Sequence, residues 1–160
     1  IASFVLLGNT ELTNYCAKII ADKIKDIDFD YIVVPEAKVL PMVQSVCTIL
    51  GDRDFVVFRK GVKAYMVNPI ETSVKSITTL AVQKMVVDGV DADKIRGKKV
   101  LLMDDVVSTG GTFHAMEKLL ADLDCKIVGY AAALREGTDF SSDNLYYIQE
   151  LPVFVGSLGE

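Results

Sequence analysis

The sequence predicts an α/β fold, in which helices flank a parallel β-sheet. Short apolar runs alternate along the chain with longer segments whose apolar residues recur at helical spacing. Strands that alternate with helices are usually joined by right-handed crossovers into one parallel sheet. The run 100–103 is apolar at every position, which is typical of a strand buried on both faces. We expect residues 1–160 to form a single domain.

The first part of the chain predicts two helices and a strand between them. A helix is predicted over about 11–25, with Thr10 as its N-cap. The apolar face of this helix is formed by Leu12, Cys16, Ile19, Ile20, Ile24 and Ile27. A buried strand over 30–34 follows, and a second helix over 40–50 ends at Gly51, since glycine commonly stops helices.

The rest of the chain contains more strands than helices. Strands or extended segments are predicted at 55–58, 62–67, 80–87, 100–103, 126–134 and 145–148. A helix is predicted to begin near Gly111, because apolar residues recur at helical spacing after it. The stretch 71–79 shows no clear period, so the connection from about 60 to 80 is long for this fold class and is expected to be mobile or functional.

The composition argues against several classes of function. The net charge is −5 and the pI is about 4.9, which weighs against a nucleic-acid surface. No apolar run approaches membrane-spanning length and no signal-peptide pattern is present, so we expect a cytoplasmic protein without a nucleic-acid or membrane partner. Cys16, Cys47 and Cys125 lie far apart in apolar patterns, which favours reduced core thiols over disulfides or zinc ligands.

The segment 99–113 carries the strongest functional signal. A buried strand leads into Asp104 and Asp105, a short loop of hydroxyl residues and glycines follows, and a helix then begins. Glycines let the backbone approach a ligand closely, and N–H groups at a helix start bind phosphate. Carboxylates accept hydrogen bonds and therefore suit vicinal hydroxyls. These features favour a ribose 5-phosphate site, although a strand end followed by a helix cap would use the same residue types.

The segment 100–112 resembles the phosphoribosyl pyrophosphate (PRPP) motif of type I phosphoribosyltransferases. The resemblance implies the fold of that family, a parallel sheet flanked by helices with a flexible lid loop, here at about 60–80. It implies that Asp104 and Asp105 are catalytic residues that bind the ribose hydroxyls. It assigns binding of PRPP and nucleotide to Val106, Val107, Ser108, Thr109, Gly110, Gly111 and Thr112.

Two further segments resemble the adenine phosphoribosyltransferase-related group of this family. Glu36, Ala37 and Lys38 follow a predicted strand, and by themselves they would fit either a phosphate site or an exposed turn. Arg59 and Lys63 lie in a basic cluster that would fit either phosphate binding or a solvated turn. The resemblance assigns all five residues to the binding of pyrophosphate.

The chain departs from this group at two places. Val39 stands where the related sequences carry a glycine after the lysine. The lid segment 73–79 contains no carboxylate, Glu71 being the nearest, whereas many adenine enzymes carry one there. These departures favour an alternative function, a catalytically degenerate paralogue that binds a nucleotide. A PRPP-sensing regulatory protein is the other alternative.

The function that the resemblance implies is purine phosphoribosyl transfer in nucleotide salvage. The ribose 5-phosphate of PRPP would pass to a purine base, with adenine as the leading candidate, and pyrophosphate would leave. Mg²⁺ is the implied cofactor, held mainly by substrate oxygens rather than by direct protein ligands. A homodimer is implied as well, because in such enzymes the partner subunit commonly supplies part of the basic cluster.

Three other residues have side chains of chemical interest. Helical spacing places His114 beside Glu117 and Lys118, away from the apolar stripe, so it is predicted to be exposed. Tyr146 and Tyr147 belong to a late strand, where they would either pack in the core or line the pocket for a base.

Overall fold

The computed structural model describes residues 6–75 and 82–152. Helices and strands alternate along this part of the chain, and the predicted fold class is confirmed. In chain order the elements are α1 (Thr10–Ile24), β1 (Tyr31–Pro35), α2 (Leu40–Ile49), β2 (Phe55–Phe58), β3 (Ile70–Lys75), β4 (Val82–Val87), α3 (Gly89–Ile95), β5 (Lys99–Val107), α4 (Gly111–Ala121), β6 (Lys126–Glu136) and β7 (Leu145–Leu151).

The central sheet has the strand order β2-β1-β5-β6-β7, and every neighbouring pair is parallel. Strands β3 and β4 form a separate antiparallel hairpin. Because β1 and β5 are neighbours and parallel, the loops that follow them leave the sheet at the same carboxyl edge. This edge is where open α/β sheets bind their ligands.

Packing of apolar side chains on both faces of the sheet holds these elements together. One cluster joins α1 and α2 to Leu101 and Met103, and the other joins α3, α4 and the hairpin to Val100 and Leu102. The alternation of neighbouring positions on β5 between the two clusters confirms that this strand is buried on both faces.

The N-cap of α1 corrects one prediction. Asn9, and not Thr10, caps the helix: its side-chain oxygen accepts a hydrogen bond from the N–H of Leu12 at 3.0 Å. Asn9 has the extended backbone of a cap residue, with φ −103° and ψ 90°, whereas Thr10 is already helical. The predicted bounds of α1, β1, α2 and β2 otherwise agree with the structure to within one residue.

The second half of the chain differs more from the prediction. Strand β5 continues past 103 through both aspartates to Val107, because it pairs with a β6 that also runs further, to Glu136. The extended segment predicted at 62–67 is wrong: the chain turns there, and the N–H of Met66 bonds to the carbonyl of Lys63 at 3.1 Å. Residues 71–75 of the stretch without a period belong to strand β3.

The three cysteines are free thiols, as predicted. Cys16 and Cys47 are buried, and Cys125 is partly buried. Burial raises the pKa of the Cys47 thiol to about 11, so this group stays protonated and unreactive near neutral pH. Within the described part of the chain, no helix is long and apolar enough to cross a membrane.

Candidate active site

The two adjacent aspartates lie near the carboxyl end of β5, inside the strand rather than after it. Asp105 is buried, with 9% of its surface exposed, and its N–H donates to Oδ1 of Asp104 at 2.8 Å. Burial raises the pKa of Asp104 well above its usual range, and the neighbouring Asp105 carboxyl adds to the shift. A partner that donates hydrogen bonds would relieve this cost, which a sugar hydroxyl can do.

The loop from β5 to α4 presents a helix start without a side-chain cap. Gly110 occupies the cap position with φ +80°, a left-handed conformation that favours glycine. The N–H of Gly111 contacts the hydroxyl of Thr109 at 3.4 Å, while the cap residue itself offers no side-chain acceptor. The first N–H groups of a helix have no partner within the helix, so this start suits an anion.

The loop from β1 to α2 is built differently. The peptide between Glu36 and Ala37 is cis. Ala37 and Lys38 are exposed, whereas Val39 is fully buried among residues of α1 and α2. Val39 has φ −76° and ψ −17°, which are ordinary helical values. Position 39 therefore does not require a glycine backbone in this chain, and its side chain contributes to the core.

Glu36 joins this loop to the basic segment after β2. Its Oε2 lies 3.1 Å from Nη1 of Arg59, and its Oε1 accepts from the N–H of Lys60 at 2.8 Å. The Lys60 N–H is the main cause that lowers the pKa of Glu36, with help from Arg59 and Lys63. Glu36 is therefore ionised at neutral pH and holds the start of the basic segment at the carboxyl edge.

Lys60 also links the two loops, although the sequence assigned it no separate role. Its positive charge lowers the pKa of Asp104, against the larger effect of burial. The field of Lys60 thus reaches the aspartates while its backbone N–H binds Glu36. The only hint of this role in the sequence is that Lys60 lies in the same basic segment as Arg59 and Lys63. Lys63 is exposed in the turn that follows.

The hairpin of β3 and β4 is anchored at its base, next to this site. Arg59 and Val86 exchange two backbone hydrogen bonds of 2.7 and 2.8 Å, and Asp88 accepts from the N–H of Val67 at 3.1 Å. Glu71, the carboxylate nearest the segment 73–79 of the predicted lid, is paired with Lys84 across the hairpin. Residues 76–79 of the predicted lid segment lie outside the described residues, and a flexible lid stays a prediction.

His114 and the two late tyrosines occupy different environments. His114 is exposed, as predicted, and its Nδ1 lies 2.9 Å from Oε2 of Glu117. Tyr146 packs against the core cluster of α1 and α2. The Tyr147 hydroxyl donates to Glu150 at 3.1 Å, and its ring centroid lies 5.6 Å from the guanidinium carbon of Arg135. Tyr146 therefore adds to the core from a partly buried position, whereas the Tyr147 side chain contacts the polar residues Arg135 and Glu150.

The carboxyl edge thus combines a pair of adjacent carboxylates, of which Asp105 is buried, a helix start suited to phosphate and a cluster of cations. Residues 7–155 match the model of the phosphoribosyl transferase domain family. The chain belongs to this family. The predicted membership and the predicted enzyme class, a phosphoribosyltransferase, are therefore confirmed.

Curated relatives support this assignment. The adenine phosphoribosyltransferase of Petrotoga mobilis is 34% identical over 125 residues, which cover 78% of this chain and 68% of that protein. The hypoxanthine/guanine phosphoribosyltransferase of Methanothermococcus okinawensis is 32% identical over 132 residues, covering 82% of this chain and 67% of that protein.

Solved structures show the same fold. The adenine phosphoribosyltransferase of Thermoanaerobacter pseudethanolicus has a TM-score of 0.75 at 20% identity, covering 91% of this chain and 84% of that chain. The Giardia lamblia enzyme, solved in complex with 9-deazaadenine, has a TM-score of 0.74 at 19% identity, covering 92% and 84% of the two chains.

Proposed function

We propose that this phosphoribosyltransferase transfers the ribose 5-phosphate of PRPP to a purine base, with adenine as the leading candidate, and releases pyrophosphate in nucleotide salvage. One observation carries the proposal: a pair of adjacent carboxylates, Asp105 buried and Asp104 partly buried, and a helix start suited to phosphate lie at the same strand end. The adenine and hypoxanthine/guanine enzymes among the relatives support a purine. A related enzyme from Trypanosoma brucei was solved with AMP, pyrophosphate and ribose-5-phosphate.

In this proposal Asp104 and Asp105 bind the ribose 2- and 3-hydroxyls. The bond from the anomeric carbon to pyrophosphate breaks as the purine nitrogen attacks, so positive charge builds on the ribose. Two carboxylates beside the ring stabilise that charge, and their low-dielectric surroundings strengthen the effect. The loop residues Val106, Val107, Ser108, Thr109, Gly110, Gly111 and Thr112 surround the nucleotide, and the start of α4 holds the 5-phosphate.

Pyrophosphate is assigned to the other loop and the basic segment. Glu36 acts indirectly, because its carboxylate already holds Arg59 and the N–H of Lys60. Ala37 and Lys38 are exposed at the same edge, as is Lys63. Arginine and lysine side chains neutralise phosphate charge, the arginine in bidentate fashion.

Mg²⁺ is the proposed cofactor. In the part of the chain that the structure describes, no three His, Cys, Asp or Glu residues gather as a metal cluster, and Asp104 and Asp105 are the carboxylates nearest the proposed substrate. These oxygen donors fit an ion that takes most of its ligands from substrate and water. When bound, Mg²⁺ would offset the charge of the departing pyrophosphate.

We also propose a single domain over residues 1–160, a lid at about 60–80, a homodimer and a cytoplasmic location. The dimer would place a partner's basic segment near the site, and the exposed Tyr65 and Val67 of this segment are available for such a contact. The oligomeric state can be read directly by sedimentation equilibrium.

A pyrophosphate-release assay tests the proposal. The protein is mixed with PRPP, Mg²⁺ and each of adenine, hypoxanthine, guanine and xanthine, with orotate and uracil as controls. Release with one purine is expected. The Asp105→Asn variant should lower kcat/KM for PRPP roughly tenfold or more, since a hydrogen bond to a charged carboxylate becomes one to a neutral amide. Silence with every base, together with PRPP binding, would favour a PRPP sensor or a degenerate paralogue instead.

A further inference from the structure

The side chain of Phe140 lies directly against the turn that starts α4. A Cβ atom placed on Gly110 would lie 2.2 Å from Cδ2 of Phe140, far inside van der Waals contact. Phe140 itself is buried, with 5% of its surface exposed, and it comes from the loop between β6 and β7. The ring therefore fills the space that the missing side chain of Gly110 leaves open.

Arg135 holds the backbone of Phe140. Its Nη2 donates to the Phe140 carbonyl at 3.2 Å, and its Nη1 lies 3.7 Å from Oε1 of Glu150. Arg135 is on β6 in register with Val107, so it stands one strand away from the start of the phosphate loop. Its Nε is buried and has no hydrogen-bond partner among residues 6–75 and 82–152, a cost that the other contacts of the guanidinium must offset.

An aromatic cluster fixes the other side of Phe140. Its ring centroid lies 5.3 Å from that of Phe113 on α4 and 5.2 Å from that of Tyr130 on β6. The Tyr130 hydroxyl donates to Oε1 of Glu117 at 2.6 Å, and this hydrogen bond connects β6 directly to α4. The loop after β6 is thus packed onto the first turn of α4 rather than free in solvent.

We propose that Phe140 and Arg135 are positioning residues, which hold the Gly110 turn in the conformation that binds the 5-phosphate of PRPP. This inference rests on the proposed function. Glycine visits many backbone conformations in a free chain, so a neighbour must select the one required. Binding through N–H groups is strong only when these groups are oriented in advance. Loss of Phe140 or Arg135 should therefore weaken PRPP binding without affecting the base.

A matched control exists at the opposite edge of the sheet. Phe29 precedes the amino end of β1 and is 3% exposed. Arg53 donates from Nη1 to the Phe29 carbonyl at 3.1 Å, and its guanidinium carbon lies 4.5 Å from the Phe29 ring centroid. This pair repeats the contact from an arginine to a phenylalanine carbonyl, and the two phenylalanines are similarly buried. Arg53 is exposed, whereas Arg135 is partly buried, and the control pair lies at the amino end of the strands, away from the phosphate loop.

The experiment compares Phe140→Leu and Arg135→Met with Phe29→Leu and Arg53→Met. The affinity for PRPP is measured by isothermal titration calorimetry, and Tm by differential scanning calorimetry. Steady-state kinetics gives KM for PRPP and for the base. We expect Phe140→Leu to raise Kd and KM for PRPP roughly tenfold and Arg135→Met to raise them about threefold, with KM for the base unchanged. Arg135→Lys, which can still donate to the Phe140 carbonyl, should restore part of the affinity. Phe29→Leu should lower Tm about as much as Phe140→Leu does, because the two rings are similarly buried, and both control variants should leave PRPP binding intact.

Hydrogen exchange of the amides at 108–113 adds a readout in the free protein, where Phe140→Leu should exchange faster and Phe29→Leu should not. If the wild-type protein and Phe140→Leu bind PRPP equally well, this inference is wrong and the proposed function stands. The same conclusion follows if the control variants lose as much PRPP affinity as the test variants. Failure of the wild-type protein to bind PRPP would overturn the proposed function and this inference with it.

Discussion

The loops after β1 and β5 both begin a helix at the carboxyl edge of the sheet, but different contacts hold them in place. The loop after β5 turns through Gly110 with φ +80°, and the ring of Phe140 packs into the space where a side chain at position 110 would lie. The loop after β1 turns without a left-handed residue, and its shape comes from the buried Val39 and the carboxylate of Glu36. One loop depends on the absence of a side chain, the other on the presence of two.

This difference shows why a glycine is required in one loop and dispensable in the other. A residue with negative φ can carry any side chain that the surroundings accommodate, and Val39 has φ −76° in an apolar environment. Gly110 has neither a permissive φ nor room for a Cβ. Three substitutions test the contrast, each at a residue on which one of the two loops depends.

Gly110→Ala should have the largest effect. The new methyl group would both force a left-handed conformation on alanine, at a cost of roughly 1–2 kcal/mol, and collide with Phe140. We expect kcat/KM for PRPP to fall more than about 100-fold, because the phosphate loop must move. Gly51→Ala is the control, since Gly51 has φ +91° but no atom within 4 Å of the new Cβ. Gly51→Ala should lower stability and leave PRPP kinetics unchanged; equal kinetic losses in both variants would contradict the account.

Val39→Gly should have the next largest effect, and on stability rather than on substrate binding. Removing a fully buried valine costs about 1.5–3 kcal/mol, and the greater backbone freedom of glycine in the unfolded chain adds about 0.4–1 kcal/mol. Urea unfolding should therefore show a loss of roughly 2–4 kcal/mol, with KM for PRPP unchanged. Val39→Ala separates the lost side chain from the loosened backbone. A lower KM for PRPP in Val39→Gly would instead mean that the valine distorts the pyrophosphate loop.

Glu36→Gln should have the smallest effect, and this effect should depend on pH. The pKa of Glu36 is lowered in the folded state, so its contribution to stability is complete above the unfolded pKa of about 4.3 and is lost as pH falls through the folded pKa. At pH 7 the variant should lose about 1 kcal/mol in urea unfolding. The difference from wild type should shrink below about pH 4.

Glu71→Gln provides the control for this pH profile. Glu71 is paired with Lys84, but the two side chains are 50% and 44% exposed, so the pair should contribute little to stability at any pH. A constant difference between wild type and Glu36→Gln from pH 7 to pH 3 would show that the carboxylate of Glu36 does not stabilise the fold through its charge.

The features that the sequence predicts well are local in the chain. The start of α4 follows from the helical spacing of Phe113 and Met116 and from the glycines before them, and the bounds of α1 and α2 follow from their apolar stripes. The aspartate pair and the loop beyond it were identified as a site because a single segment of chain carries the whole pattern.

Contacts between distant segments could not be predicted. Glu36 and Arg59 are separated by 23 positions in the chain, and Gly110 is likewise distant from Phe140, so neither contact produces a periodic pattern in the sequence. Strand β5 extends beyond its apolar run because pairing with β6 satisfies its backbone groups, whatever the side chains are. Helix α3 was missed because it spans 7 residues and has two buried side chains, Ala92 and Ile95. The sequence signals for this helix are Asp88, which caps its start, and Gly97, which follows its end.

Arg59 serves two neighbours with different parts of the same residue. Its main chain bonds to Val86 of the hairpin, and its side chain bonds to Glu36. Main-chain hydrogen bonds do not depend on which side chain the residue carries. The hairpin would therefore keep its attachment after any substitution at this position except proline, which has no N–H. Substitutions at position 59 can therefore change the charge that the site presents to a ligand while the attachment of the hairpin is kept. We expect substrate preference to diverge at this position among related proteins.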